Sequence, residues 1–152
     1  MINTGSPFVE IMTNKIFLTT LLSWFIAQSM KVAIALILTR KFNFRLIMGT
    51  GGMPSAHAAS VSSLAVSVGM ETGFSNPLFI ATMVFASIIM FDAQGVRRHA
   101  GAQAAILNKM MEEIYFNRGI REERLKELLG HTPVEVFAGA LLGIVIAFIM
   151  FR

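Results

Sequence analysis

Cysteine is absent from the 152 residues, which excludes disulfides, thiolate nucleophiles and zinc–thiolate centres. Charge is scarce: Asp, Glu, Lys and Arg make up 14% of the chain, against about 25% in an ordinary soluble domain. Acidic groups are the scarcer sign, nine against thirteen basic residues, and most of them fall within 112–127. The paired carboxylates of a two-metal site therefore have no good source, and no metal or other cofactor is expected. Polar sequence in general is thin. Hydrophobic residues reach 55% and mean hydropathy is +0.65, so disorder, a coiled coil and a nucleic-acid-binding domain are all poor fits. The length suits one domain, and the class indicated is an all-α polytopic membrane helix bundle. A net charge of +4 beside apolar spans reports membrane orientation rather than a nucleic-acid partner. The opening fifteen residues, MINTGSPFVEIMTNK, are mixed and polar and lack the pattern of a signal peptide.

Four apolar stretches are present, at about 16–39, 56–70, 77–91 and 133–151. The first is long enough to cross a hydrocarbon core of roughly 30 Å. The second, AHAASVSSLAVSVGM, is only weakly apolar and would hardly insert alone, but its small residues allow close helix packing inside a bundle. Gly73, Ser75, Asn76 and Pro77 mark a tight turn before the third stretch. Residues 93–108 read as a continuation of that third helix. Beyond them, Leu107, Met110, Met111, Ile114 and Tyr115 recur at helical spacing, as do Ile120, Leu125, Leu128 and Leu129. These pieces, within about 94–129, are expected as amphipathic helices lying along the bilayer surface; ordinary helices of a small soluble cap are the alternative. In the fourth stretch, Gly139 and Gly143 with Ala138 and Ala140 pack either inside the bundle or against a second copy, so a homo-oligomer is compatible with the sequence.

Four spans put both termini on one side and the loops 40–55 and 92–132 on the other. Arg40, Lys41, Arg45, Arg97, Arg98, Lys109, Arg118, Arg121, Arg124 and Lys126 lie on the loop side, with only Lys15 and Arg152 opposite. The positive-inside rule then makes the loop face cytoplasmic and both termini external.

Most of the unusual residues fall on that loop face. Met48 to His57 is a Gly-rich loop containing Gly52 and leading through Pro54-Ser55 into the second stretch. It serves either as a plain helix start with an interfacial histidine or as a phosphate seat, because a helix N-terminus offers free N–H groups and partial positive charge. Asp92 ends the third stretch and is followed by Arg97, Arg98 and His99. The arginines either set topology or grip phosphate oxygens with their forked donors, while Asp92 and Gln103 are supporting polar groups on the same stretch. Lys31 lies inside the first stretch and either snorkels to the headgroups or reaches into the bundle toward an anion. Finally, His131 and Glu135 are four apart at the start of the last stretch. Glu135 can hold one imidazole nitrogen and leave the other as an oriented nucleophile. Thr132, Pro133 and Glu135 also spell a capping box, and one carboxylate can serve both purposes.

Pro54-Ser55-Ala56-His57 resembles the Pro-Ser-Gly-His motif of the type 2 phosphatidic acid phosphatase superfamily, which also contains the vanadium haloperoxidases. His131-Thr132-Pro133-Val134-Glu135 followed by VFAGALLGI resembles its final motif, in which aspartate stands four residues after histidine. GGMPSAH, FDAQGVRR and LLGHTPVEVFAGALLG together are similar to the small bacterial and plastid proteins of the divergent branch of that superfamily, over roughly residues 20 to 150. The resemblance implies a bacterial inner or plasma membrane, with His131 attacking phosphorus to form a phosphohistidine. Glu135 would orient it, His57 would protonate the leaving alcohol, and Ser55 with the backbone near Ala56 would bind phosphoryl oxygens. The chain departs from the pattern in three places. Ala56 replaces glycine, Leu125 stands where the family has an arginine six residues before the histidine, and its lysine/arginine-proline motif has no match in register. Arg97 and Arg98 are the favoured substitutes, with Lys31 and Arg45 as further cations.

The expected function is a cytoplasmic-face lipid phosphate phosphatase acting on a phospholipid or polyprenyl phosphate monoester. A neutral His131 and a protonated His57 predict a bell-shaped pH profile. The rival readings are a catalytically inactive lipid- or anion-binding scaffold and a small transporter subunit.

Overall fold

The structure of the chain, a computed structural model, describes residues 6–40, 52–115 and 131–152; of residues 38–39, 96–99 and 112–115 it describes the backbone alone. Among the described residues there are six helices and no strand: α1 (Pro7–Thr13), α2 (Lys15–Thr39), α3 (Ala56–Thr72), α4 (Pro77–Gln94), α5 (Val96–Tyr115) and α6 (Pro133–Phe151). Each of the four apolar stretches is a helix, and each begins on a side-chain cap that satisfies an otherwise orphaned N–H. Asn14 accepts from Phe17 N, Ser55 from Ala58 N, Asn76 from Leu78 N and Thr132 from Glu135 N. Proline occupies the first turn of α4 and α6, where its missing donor costs nothing.

Two local features differ from expectation. Residues 7–13, read above only as mixed and polar, form the short helix α1. The expected extension of the third stretch is not one continuous helix. It breaks at Gly95, whose N–H bonds back to Phe91 O at 2.8 Å. A side chain at Gly95 would stand 3.2 Å from that same carbonyl, so glycine is the residue that lets the chain turn this closely. Helix α5 then runs on through Tyr115, with Gly101, Ala104 and Asn108 buried on one stripe and Leu107, Met110 and Met111 exposed on another. The second expected amphipathic piece, 120–129, lies outside the described residues.

Three helices are long and apolar enough to cross a membrane, at Lys15–Ile37, Pro77–Gln94 and Pro133–Phe151. The fourth expected span, α3, is not among them. It occupies the middle of the bundle instead, packed on α2, α4 and α6. Its composition explains this position. In lipid there is no hydrophobic gain from pressing helices together, so close van der Waals fit must supply the association. Helix α3 buries Ala56, Ala58, Ala59, Ala65, Ser62, Ser63 and Ser67, and α6 answers with Gly139 and Gly143. A Cβ on Gly139 would collide with Ser55 O, and one on Gly143 with Ala59 O and Ser62 Oγ. The two backbones therefore run close enough for Ser62 Oγ to donate to Ala140 O across the seam at 3.0 Å. The glycines of α6 thus pack inside the bundle, which resolves one of the two readings left open for them.

The outer faces carry Trp24, Phe25, Ile88, Phe91, Phe137 and Phe148, all exposed, as lipid-facing surfaces require. Lys15 Nζ lies 4.4 Å above the Phe151 ring, so the start of α2 and the end of α6 share one end of the bundle. The opposite end is where α3 and α6 begin and α4 stops.

Candidate active site

Three helix termini meet at that end, and two backbone hydrogen bonds between elements fix them. Ser55 N, the cap of α3, donates to Glu135 O in the first turn of α6 at 2.9 Å, and His131 N donates to Ala93 O near the end of α4 at 3.0 Å. The N-termini of α3 and α6 consequently lie side by side. Each contributes roughly half a positive charge and free N–H groups to the same small region.

The His131 ring is buried, 3% exposed, and its Nδ1 is 3.1 Å from Glu135 Oε2. An ionised carboxylate only accepts, so Nδ1 carries the hydrogen and Nε2 of the neutral ring holds the lone pair. The same Glu135 oxygen accepts Thr132 N–H at 3.0 Å, and Glu135 N donates to Thr132 Oγ1 at 3.3 Å. The capping box and the histidine–carboxylate pair are therefore one structure. A glutamate at the third helical position reaches both the cap backbone and the preceding ring. His57, in the first turn of α3, is exposed, and its ring centroid is 6.3 Å from that of His131, tilted by 59°. Two imidazoles distant in sequence thus face one region, one sheltered and one open to the surroundings.

Lys31 comes from the middle of α2 and is buried, yet it lies close enough to Glu135 to feel its charge. It reaches into the bundle. Its stem packs on Gly52, where a Cβ would stand 3.2 Å from Lys31 Cγ and where the backbone sits at φ +87°. Glycine is required there twice over, for the left-handed conformation and for the lysine's approach. The adjoining Met53–Pro54 peptide is cis. Ser55 is fully buried, with its hydroxyl turned to the Ala58 N–H at 3.4 Å.

The other expected site residues are placed less centrally. Asp92 is half-buried on the last turn of α4, one residue before the carbonyl that holds His131 N. Gln103 is exposed on α5 and takes no part in the hydrogen bonds around His131. Arg97 and Arg98 lie on the first turn of α5, with side chains outside the described residues, and Arg45 lies wholly outside them. Among the described residues no group of three or more His, Asp and Glu side chains could hold a metal ion. Sequence reasoning missed Ala93, which acts through its carbonyl, and the Ser55–Glu135 backbone bond. Neither leaves a side-chain signal, since both bonds use main-chain atoms.

Comparison with known proteins agrees with this architecture. The family described as "Divergent PAP2 family" matches residues 12–146, a range that includes both histidines, Lys31 and Glu135. A membrane protein of Bacillus subtilis (strain 168), YuiD, described as uncharacterized, is 43% identical over 155 residues, which cover 93% of this chain and 97% of that protein. No solved structure matches. With three helices of spanning length and composition, the chain is an integral membrane protein.

Proposed function

The chain belongs to the Divergent PAP2 family, and from that membership together with the geometry of the histidine pair we propose that it is a membrane-embedded lipid phosphate phosphatase. The observation that carries the reading is the buried His131, held through Nδ1 by Glu135 with the His57 ring 6.3 Å away. Held in this way, His131 presents Nε2 as a nucleophile at fixed orientation.

In the proposed reaction Nε2 attacks the phosphorus of a phosphate monoester. The N–P bond forms as the P–O bond to the lipid alcohol breaks, and His57 gives its proton to the departing alkoxide oxygen. Water then attacks the phosphohistidine, passing a proton to His57, and inorganic phosphate leaves with His131 restored. Phosphoryl transfer needs alignment and stabilisation of charge on three equatorial oxygens more than it needs covalent help. The paired N-termini of α3 and α6 and the Lys31 ammonium are suited to that charge, and Arg97 and Arg98, one turn beyond Ala93, are the proposed additional cations. Asp92 and Gly52 support the site through the backbone on either side of it. The substrate is a phospholipid or polyprenyl phosphate, because the histidines lie at the ends of membrane helices, where a headgroup phosphate sits while its tails stay in lipid. The basic residues of loops 40–55 and 92–132 assign this end to the cytoplasm and the chain termini to the outside.

The test is phosphate release from a lipid phosphate by the purified protein in detergent. The reading expects turnover that vanadate inhibits and that His131→Ala abolishes. Turnover that survives His131→Ala removes the proposed nucleophile. Lipid phosphate binding without release points to the scaffold reading, which the leucine at position 125 in place of the superfamily's arginine favours.

A further inference from the structure

Below the histidine pair, α4 and α6 part to leave an open groove of about 500 Å³. One wall is the face of α4 from Ser87 up to Gln94, and the other is the face of α6 from Ala140 up to Pro133. The helices are antiparallel, so both upper ends belong to the site. Gln94 follows the residue whose carbonyl holds His131 N, and Pro133 lies two residues after His131 itself. Seven residues along either helix carry the groove about 10 Å into the membrane.

Its chemistry is graded. The polar side chain at the rim is Gln94. Ser87, at the far end, has its hydroxyl turned to its own helix, donating to Met83 O at 2.9 Å, so it does not interrupt the apolar interior. Phe91 and Phe137 form the lips, 77% and 72% exposed. The floor is the packed junction of Ala58, Ala93 and Val136, with Met90 resting on it, and a flexible thioether adapts to chains of different shape.

We infer that this groove seats one acyl chain of the substrate, a glycerophospholipid monoester, with its phosphate at His131, its ester region at Gln94 and its hydrocarbon against α4 and α6. The inference rests on the phosphatase reading and adds to it the route by which the lipid lies in the protein. A second groove of similar size, about 480 Å³, runs along α2 past Trp24 and Val32. It belongs to one helix only and no backbone bond joins it to His131, so it serves as the internal control.

The test uses the full-length His131→Ala protein in detergent micelles and phosphatidate carrying a diazirine midway along one acyl chain. Illumination is expected to label residues 87–94 and 133–140 above the α2 face. Unlabelled phosphatidate should compete and phosphatidylcholine should not. Equal labelling of both grooves, or competition by any bilayer lipid, means the groove holds bulk lipid and overturns the inference. A second measurement uses Ser87→Phe, which fills the far end. It should lower the preference for dioleoyl over dihexanoyl phosphatidate, read as the ratio of kcat/KM values, about tenfold; an unchanged ratio counts against the groove. The two readings fail separately. Groove labelling without phosphate release by the unaltered protein leaves the lipid seat and removes the hydrolysis, whereas release with scattered labelling does the reverse.

Discussion

At the end of the bundle where α3 and α6 begin, the chain is tied between elements. Ser55 N reaches Glu135 O and His131 N reaches Ala93 O, while Glu135 holds both a ring and a cap. At the other end the bonds are local. Gly73 N bonds Gly69 O, Asn76 N bonds Gly73 O, and Phe74 stands edge-on to Phe79 with centroids 5.1 Å apart over Gly69. The one described link there between the first and last long helices is Lys15 above Phe151. A turn needs only to reverse the chain, and residues close in sequence suffice for that. A site that aims two histidines at one region must fix the positions of helices relative to each other, and backbone bonds between their ends achieve this without side chains that a substrate would have to displace.

That contrast can be broken at chosen points. The largest effect is expected at Glu135. In Glu135→Gln the amide still caps α6 but the negative charge that steadies an imidazole is gone. Turnover should fall by on the order of 100-fold or more while the thermal midpoint in detergent stays nearly unchanged. An equal loss of stability and activity would reduce the residue to a cap. Next comes the seam that holds both ends in register. Gly143→Val pushes a side chain into Ala59 O and Ser62 Oγ, and overpacking of this kind costs about 1–3 kcal/mol or more. The expected outcome is a lowered unfolding midpoint together with lost activity, whereas Leu141→Val on the exposed face of the same helix should change neither. If both substitutions behave alike, the close approach of α3 and α6 is not what holds the bundle. The smallest effect belongs to the far end. Lys15→Met removes a cation–ring contact worth about 0.5–1 kcal/mol at exposed sites, so stability should drop slightly and turnover should not move. A large loss of turnover would mean the two ends are coupled.

Much of this was legible in the sequence because much of it is local. The caps Asn14, Asn76 and Thr132 act within three residues of themselves, and the His131–Glu135 pair follows from the helical repeat once the helix is recognised. The family resemblance rests on the same short segments. What could not be read is which termini meet. Ser55–Glu135 and His131–Ala93 join main-chain atoms of segments far apart in the chain, and any residue type offers a main-chain N–H and C=O. The direction of Gly139 and Gly143, inward or toward another copy, was equally undetermined, because small residues suit either surface. Helix α3 is instructive in the same way. Its alanines and serines look weak as a membrane span, and the structure gives them the central position, where bulk would keep the helices apart.

The claim on which the account turns is that His131 becomes covalently phosphorylated. Rapid acid-free quenching of the enzyme with a lipid phosphate labelled in its phosphoryl group tests it directly. The account predicts a protein-bound phosphoryl group that survives alkali, is released by acid, maps to His131 and is absent from His131→Ala. Steady turnover with the label on another residue, or with none on the protein during the pre-steady state, would contradict it.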